Sequence, residues 1–218
     1  MLTKAQIRFC LDEMEKMFPD AKCELNHNSP FELVIAVLLS AQCTDVLVNK
    51  VTADLFKKYK TPEDFLAVSL KEVEQDIKSI GLYRNKAKNI RKLSQMLIDD
   101  YGGEVPESKT ELMKLAGVGR KTANVVASVA FDEPAIAVDT HVERVSKRLA
   151  FCRWKDSVLE VEETLMRKVP KEEWSDTHHR MIFFGRYHCK ARNPNCPECP
   201  LLEVCREGKK RMKKVELS

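Results

Sequence analysis

The chain of 218 residues has no apolar run long enough to span a bilayer. Its longest strongly apolar stretch, around Leu33–Leu39, falls well short of the roughly 20 residues a membrane helix needs. A secretory leader is also missing, since Met1 leads straight into a polar, charged segment. The expectation is a cytosolic protein with no membrane partner, nucleoid-associated if the cell is bacterial. Nowhere do apolar and polar residues alternate in steps of two between turn signals, which argues against a sheet. No stretch rich in Pro, Gly or Ser separates two halves, and no internal repeat is present. Any division must therefore be into closely packed lobes. Charge imbalance is slight, with 37 Lys and Arg against 33 Asp and Glu. At 44% hydrophobic residues the composition excludes disorder and permits a real core.

What is present in quantity is helix punctuation. Thr3-x-x-Gln6, Ser29-x-x-Glu32, Ser69-x-x-Glu72 and Ser157-x-x-Glu160 read as capping boxes. Pro30 and Pro62 suit the first helical position. Gly81 and Gly102-Gly103 read as helix stops. The pattern predicts helices near 3–17, 30–39, 45–59, 62–68, 70–79, 85–101, 108–115, 120–131, 140–150, 157–168 and 171–187. Two stretches without charge, Leu33–Thr44 and Thr122–Phe131, are expected to be buried on every side. Basic residues gather at Arg84, Lys86, Lys88, Arg91 and Lys92, and again at Lys209, Lys210, Arg211, Lys213 and Lys214. Such patches suit a polyanion, although on charge alone two solvated faces are the favoured reading.

Eight cysteines in a chain expected to live under reducing conditions point to metal or catalysis rather than disulfides. Four of them, Cys189, Cys196, Cys199 and Cys205, follow a C-x6-C-x2-C-x5-C pattern stiffened by Pro194, Pro197 and Pro200. Thiolates crowded this way chelate a soft metal centre, and spacing leaves zinc and an iron–sulfur cubane evenly matched. Cys10, Cys23, Cys43 and Cys152 are scattered singly and read as inert thiols.

The richest segment runs Leu112-Met-Lys-Leu-Ala-Gly117-Val118-Gly119-Arg-Lys121-Thr-Ala-Asn124. Gly117 and Gly119 permit a tight turn and a close approach of another backbone. Val118 between them would pack inward. The helix that follows offers free N–H groups and the positive end of its dipole to a phosphate. Lys121 precedes ten uncharged residues. A snorkelling lysine is the bland reading. The sharper one is a nucleophilic amine, made less basic by desolvation and the helix N-terminus. Asp139, in Val138-Asp139-Thr140-His141-Val142, suits an N-cap, a role that coexists with electrostatic work. His141 could orient a phosphate or a carboxylate, or simply pack.

Four features in order, Leu39-Ser-Ala-Gln42-x-Thr44-Asp45, Ile80-Gly-Leu82-Tyr-x-x-Lys86-Ala, the hairpin with Lys121 and Asp139, and the cysteine loop, resemble the iron–sulfur branch of the helix-hairpin-helix DNA glycosylases. The resemblance covers nearly the whole chain. Ala116 departs from it, because the family commonly has proline before the first glycine. The resemblance implies an all-α, two-lobed protein. A six-helix lobe would span 23–132 and contain the hairpin at about 108–131. A second lobe would combine 1–22 with 133–218 and hold a [4Fe-4S] cluster on the four cysteines, in a loop at 189–205. A DNA cleft would lie between the lobes, with Lys121 and Asp139 facing each other. Gln42 would fill the space of a flipped base, Leu82 would wedge against the orphaned partner, and Gly117, Val118 and Gly119 would hold the backbone phosphate. Lys190 and Arg192 would touch phosphates. The function implied is a monomeric glycosylase and abasic-site lyase acting on oxidised pyrimidines in duplex DNA. A monofunctional glycosylase is disfavoured by Lys121, a non-enzymatic DNA-binding module by the Lys121/Asp139 pair, and a pure electron-transfer protein by the size of the helical body.

Overall fold

The computed structural model describes the backbone of residues 1–216 and the side chains of residues 1–213. Lys214, counted above in the basic tail, lies outside the described side chains. Among the described residues there is no strand, and the protein is all-helical. It divides into two compact units, Glu24–Glu133 and Met1–Cys23 with Pro134–Ser218.

The first unit holds α2 (Pro30–Ser40), α3 (Asp45–Lys58), α4 (Pro62–Ala67), α5 (Leu70–Asp76), α6 (Tyr83–Tyr101), α7 (Lys109–Leu112) and α8 (Arg120–Phe131). The charge-free α2 is its axis. Every residue from Phe31 to Leu39 is buried, and the helix packs against α3, α6 and α8. In α8 the run Ala123–Ser128 is buried as well. The short α4 and α5 cover α6, where Phe65 stacks on Tyr59 and meets the edge of Phe31. Such aromatic contacts add about 0.5–1.5 kcal/mol beyond burial.

The second unit is built on α9 (Thr140–Arg148), against which pack α10 (Val158–Lys168), α11 (Trp174–Phe183) and α12 (Arg206–Glu216). The N-terminal α1 (Lys4–Met17) belongs here because Ile7, Cys10, Leu11 and Met14 share one core with Val142, Val145 and Phe184. Leu2 also donates its N–H to Ala150 O at 3.0 Å. An extended strap, with Ala135–Val138 buried, leads into α9.

The caps at Thr3/Gln6 and Ser157/Glu160 are reciprocal, as expected. At Ser29 the serine caps, but Glu32 reaches one residue further and accepts from Asn28 N at 2.6 Å. Ser69 caps α5 without reciprocation. A box not anticipated stands at Thr61/Asp64, where an aspartate replaces the usual longer acid. Gly81 is not a helix stop. The chain leaves α5 at Asp76 and turns so that Ile77 and Ile80 are both buried, and the left-handed residue is Leu82, at φ 59°. Gly102 does end its helix, at φ 62°. The helix expected over 108–115 is shorter, because the chain tightens after Leu112 into successive turns that deliver Leu115 and Val118 to the core. The helix expected over 171–187 is a 3-10 turn, then α11, then a π-helical turn at Phe184–His188. The widening coincides with Gly185, where a side chain would stand 2.9 Å from His141 Cβ. The helix α12 is additional to the expected elements.

Candidate active site and cofactor loop

In the first unit the hairpin has Gly117 at φ 78°, a region that favours glycine, with its Cβ position 2.9 Å from Leu38 Cδ1 and 3.0 Å from Asn89 Cβ. Val118 turns inward, 6% exposed, as expected. Gly119 differs from its neighbour. It is extended, at φ −89° and ψ 178°, and a Cβ there would meet nothing within 4 Å. No side chain caps α8, so the terminus is open to an external acceptor. Lys121 is the second residue of α8 and is exposed. The desolvation expected of it is therefore not supplied by burial in the folded chain. A position at N2 places it outside the buried stripe that starts at Ala123.

The same unit brings Gln42 and Leu82 together. Both are exposed and both adopt left-handed backbone, at φ 56° and φ 59°. The two loops touch, since a Cβ on Gly81 would stand 3.7 Å from Gln42 O. Non-glycine residues rarely hold such geometry, and it concentrates at functional sites. Leu82 is 58% exposed, so it does not pack inward as an ordinary loop leucine would. Of the basic patch read in the sequence, Arg84, Lys88 and Lys92 face solvent. Lys86 and Arg91 do not, because both donate to backbone carbonyls: Lys86 to Leu39 and Ala41, Arg91 to Phe65 and Val68. The inward direction of Lys86 was available in its spacing with Ala87, Ile90, Leu93 and Leu97, a buried stripe with a lysine in it.

In the second unit Asp139 is the N-cap of α9. Its Oδ1 accepts from His141 N and Val142 N, both at 2.8 Å. The carboxylate is thereby fixed, and Oδ2 makes neither of these bonds. His141 packs against Gly185, and burial lowers its pKa, partly offset by Asp139, so the ring is neutral at neutral pH. Arg144 faces the same ring, with Nη2 3.2 Å from His141 Nδ1 and donating at 2.7 Å to Gly185 O.

The cysteine loop hangs from the other end of α9. Cys189, Cys196, Cys199 and Cys205 line one cavity with Leu149, Phe184 and Leu202. None is in a disulfide. Arg148 Nη1 lies 3.4 Å from Cys189 Sγ, and Gly208 N donates to Cys205 Sγ at 3.2 Å. Burial raises the Cys199 thiol to about 11 and raises Cys196 and Cys205 too. Four thiolates gathered in one partly buried cavity need a cation to compensate them. Among the described residues no three His, Cys, Asp or Glu side chains converge on one point. The four cysteines line one cavity instead, a donor set of the kind that holds a compact iron–sulfur cluster. Lys190 and Arg192 are exposed on the loop. In the tail, Lys209, Lys210 and Lys213 are exposed, while Arg211 is half-buried and pairs with Glu207 at 2.8 Å.

A helical body with an uncapped hairpin helix, a lysine at its terminus and a loop of four clustered thiols defines a class, the helix-hairpin-helix proteins that carry a metal cluster. Residues 35–171 match the model of the HhH-GPD superfamily of base excision DNA repair proteins, and residues 189–205 match the iron–sulfur binding domain of endonuclease III. Endonuclease III of Bacillus subtilis (strain 168) is 75% identical over 214 residues, covering 98% of this chain and 98% of its own. That of Escherichia coli (strain K12) is 48% identical over 204 residues, covering 94% and 96%. A solved structure of a trapped endonuclease III–DNA covalent intermediate superposes with a TM-score of 0.96 at 77% identity, covering 97% of this chain and 100% of that one. The chain belongs to the endonuclease III family of the HhH-GPD superfamily, and its cofactor is a [4Fe-4S] cluster.

Proposed function

We propose that Lys121 is the nucleophile of a DNA glycosylase and abasic-site lyase that removes oxidised pyrimidines such as thymine glycol from duplex DNA. The observation that carries this reading is the placement of Lys121, an exposed amine one residue inside an uncapped helix terminus, behind Gly119, where no side chain obstructs an incoming backbone. The amides from Gly117 to Gly119 and the first turn of α8 bind the DNA phosphate beside the lesion. The target base leaves the stack, since its sugar cannot be reached inside the duplex. Gln42 fills the vacated space and Leu82 wedges against the partner base, offsetting lost stacking. Their exposure and left-handed backbone support this role.

The Lys121 amine attacks C1′ as the glycosidic bond breaks, and the base departs with the bonding electrons and takes up a proton. Asp139 stabilises the positive charge developing on the sugar. The first adduct is an aminal; its C1′–O4′ bond then breaks, O4′ takes up the proton released from the nitrogen, and the resulting open-chain imine acidifies the C2′ hydrogen. Loss of that proton drives β-elimination, in which the C3′–O bond breaks and the strand is cut. Exclusion of water by bound DNA supplies the desolvation of Lys121 that the free protein does not provide. His141, as a neutral ring, and Lys190 and Arg192 hold the backbone. Cys189, Cys196, Cys199 and Cys205 ligate the cluster, which shapes their loop and takes no part in base removal. The protein acts as a monomer, on cytoplasmic DNA. No helix among the described residues is long and apolar enough to cross a membrane.

Borohydride trapping on duplex DNA carrying thymine glycol tests the assignment. Wild type is expected to give a covalent adduct and Lys121→Gln none. An adduct from Lys121→Gln, or base release without strand cleavage by wild type, would overturn it, the latter in favour of a monofunctional glycosylase.

A further inference from the structure

We propose that Lys86 is a positioning residue that clamps the Gln42 and Leu82 loops to each other and so sets the geometry with which both enter the duplex; this rests on the insertion reading given above. Lys86 is the fourth residue of α6 and is only 5% exposed. A buried ammonium needs compensation, and two backbone carbonyls provide it. Nζ donates to Leu39 O at 3.0 Å and to Ala41 O at 2.6 Å. These are end carbonyls of α2, which lack partners in their own helix and carry the negative end of its dipole. Helices often end instead on a left-handed glycine that lets the chain cap its own carbonyls. Here the left-handed residue is Gln42, and a lysine from another helix supplies the donors.

The second half of the clamp is backbone. Ala41 O belongs to the peptide that joins Ala41 to Gln42. The N–H of Lys86 donates to Leu82 O at 3.1 Å. One residue thus holds the peptide on the N-terminal side of Gln42 with its side chain and the carbonyl of Leu82 with its main chain. Both held residues are in the left-handed region, which persists only where surrounding contacts over-determine it. Burial lowers the pKa of the ammonium, opposed by Cys43. The side chain donates to the end of α2, and it is withdrawn from the solvent-facing patch of its neighbours Arg84 and Lys88.

A double-mutant cycle tests this on the full-length, cluster-loaded protein. Lys86→Met keeps the apolar stem and removes the donors, while Lys86→Gln keeps one polar donor. Each is made alone and with Gln42→Ala/Leu82→Ala. The readouts are the affinity for a duplex carrying a reduced abasic analogue, and the fluorescence of 2-aminopurine placed opposite it, which rises when that base is unstacked. Loss of two bonds from a charged donor is expected to weaken damaged-duplex binding about tenfold or more and to damp the fluorescence rise. In the Gln42→Ala/Leu82→Ala background the same change should cost less than about twofold, with Lys86→Gln intermediate in the native background. If Lys86→Met weakens binding equally in both backgrounds, or leaves the fluorescence rise intact, the clamp is overturned and Lys86 serves general stability. If Gln42→Ala/Leu82→Ala itself changes neither readout, the insertion reading fails first and the clamp with it. Should Lys86→Met not fold, Lys86→Gln decides by the same comparison.

Discussion

Arg148, in the last turn of α9, lies 3.4 Å from the sulfur of Cys189, and the same guanidinium donates to Cys189 O, Lys190 O and Ala191 O at 3.3, 2.7 and 2.9 Å. The helix whose first turn is capped by Asp139 thus anchors the cofactor loop at its other end. Arg148 is 7% exposed, and its planar fork reaches four acceptors where a lysine could not. Arg148→Met is expected to leave those carbonyls unpaired, at about 1–3 kcal/mol each where they are buried. The cluster should then be lost faster on exposure to oxygen or chelator, seen as bleaching of the yellow-brown absorbance. A variant that bleaches at the wild-type rate would show that the loop is held by its cysteines alone.

Removing the cofactor should cost more than removing Arg148. Burial raises Cys199 to about 11 and raises Cys196 and Cys205, so the emptied loop takes up protons and keeps its thiols neutral. Cys199→Ser is expected to yield colourless protein with a lower melting temperature. A colourless protein holding stoichiometric zinc would reject the cluster outright.

Substitution separates the cap that Asp139 forms from the charge stabilisation proposed for it. Asn retains an oxygen for the bonds from His141 and Val142, whereas Ala loses the cap at about 1 kcal/mol. Melting should therefore distinguish Asp139→Asn from Asp139→Ala. Single-turnover base release should fall by roughly 100-fold or more in both. Activity that tracks stability across the pair would reduce Asp139 to a structural cap.

The two hairpin glycines should fail in opposite ways. Gly117→Ala forces a side chain into left-handed backbone and onto Leu38 and Asn89, a loss of about 1–3 kcal/mol. Gly119→Ala meets nothing in the protein and should melt like wild type. Its methyl group lies at the open terminus of α8, so duplex binding should weaken, by about tenfold if one charged hydrogen bond is lost. Binding isotherms beside melting curves give the answer, and a Gly119→Ala that binds normally would remove the phosphate from this turn.

Acid should destabilise the fold. Burial lowers His179, opposed by its bond to Ser175 O and by Asp176, and lowers His141, opposed by Asp139 and assisted by Arg144 and Arg186. Folding therefore favours the neutral rings. Their contribution is full above the unfolded value near 6.5 and is lost as pH falls through it toward the folded values. The melting temperature should drop between about pH 7.5 and pH 5.5, and less steeply in His179→Gln. A midpoint that rises over that window would reverse the sign assigned to these groups.

Much of the helical body was legible because short-range physics writes it. Capping serines and threonines, Pro30 and Pro62 at first positions, and the charge-free α2 and α8 state their roles in neighbouring residues. The sequence was less informative where a distant contact sets the local outcome. The helix widens over Phe184–His188, where Gly185 lies close against His141 of another element. Glu32 leaves its serine for Asn28 once it is buried. Lys86 falls on the apolar stripe of α6, but the carbonyls that receive its ammonium lie more than forty residues away in the chain.

The order of chemical groups, a glycine hairpin ahead of a lysine, an aspartate ahead of a helix, and four cysteines in a short stiff loop, was set by sequence alone, because those groups act through bonds and turns within a few residues. Which of them are buried, exposed or strained was decided by tertiary packing. Solvent access and left-handed backbone depend on what the rest of the chain places alongside. Lys121 therefore stands in solvent, Lys86 is hidden from it, and Gln42 and Leu82 are held in conformations that no local preference would select.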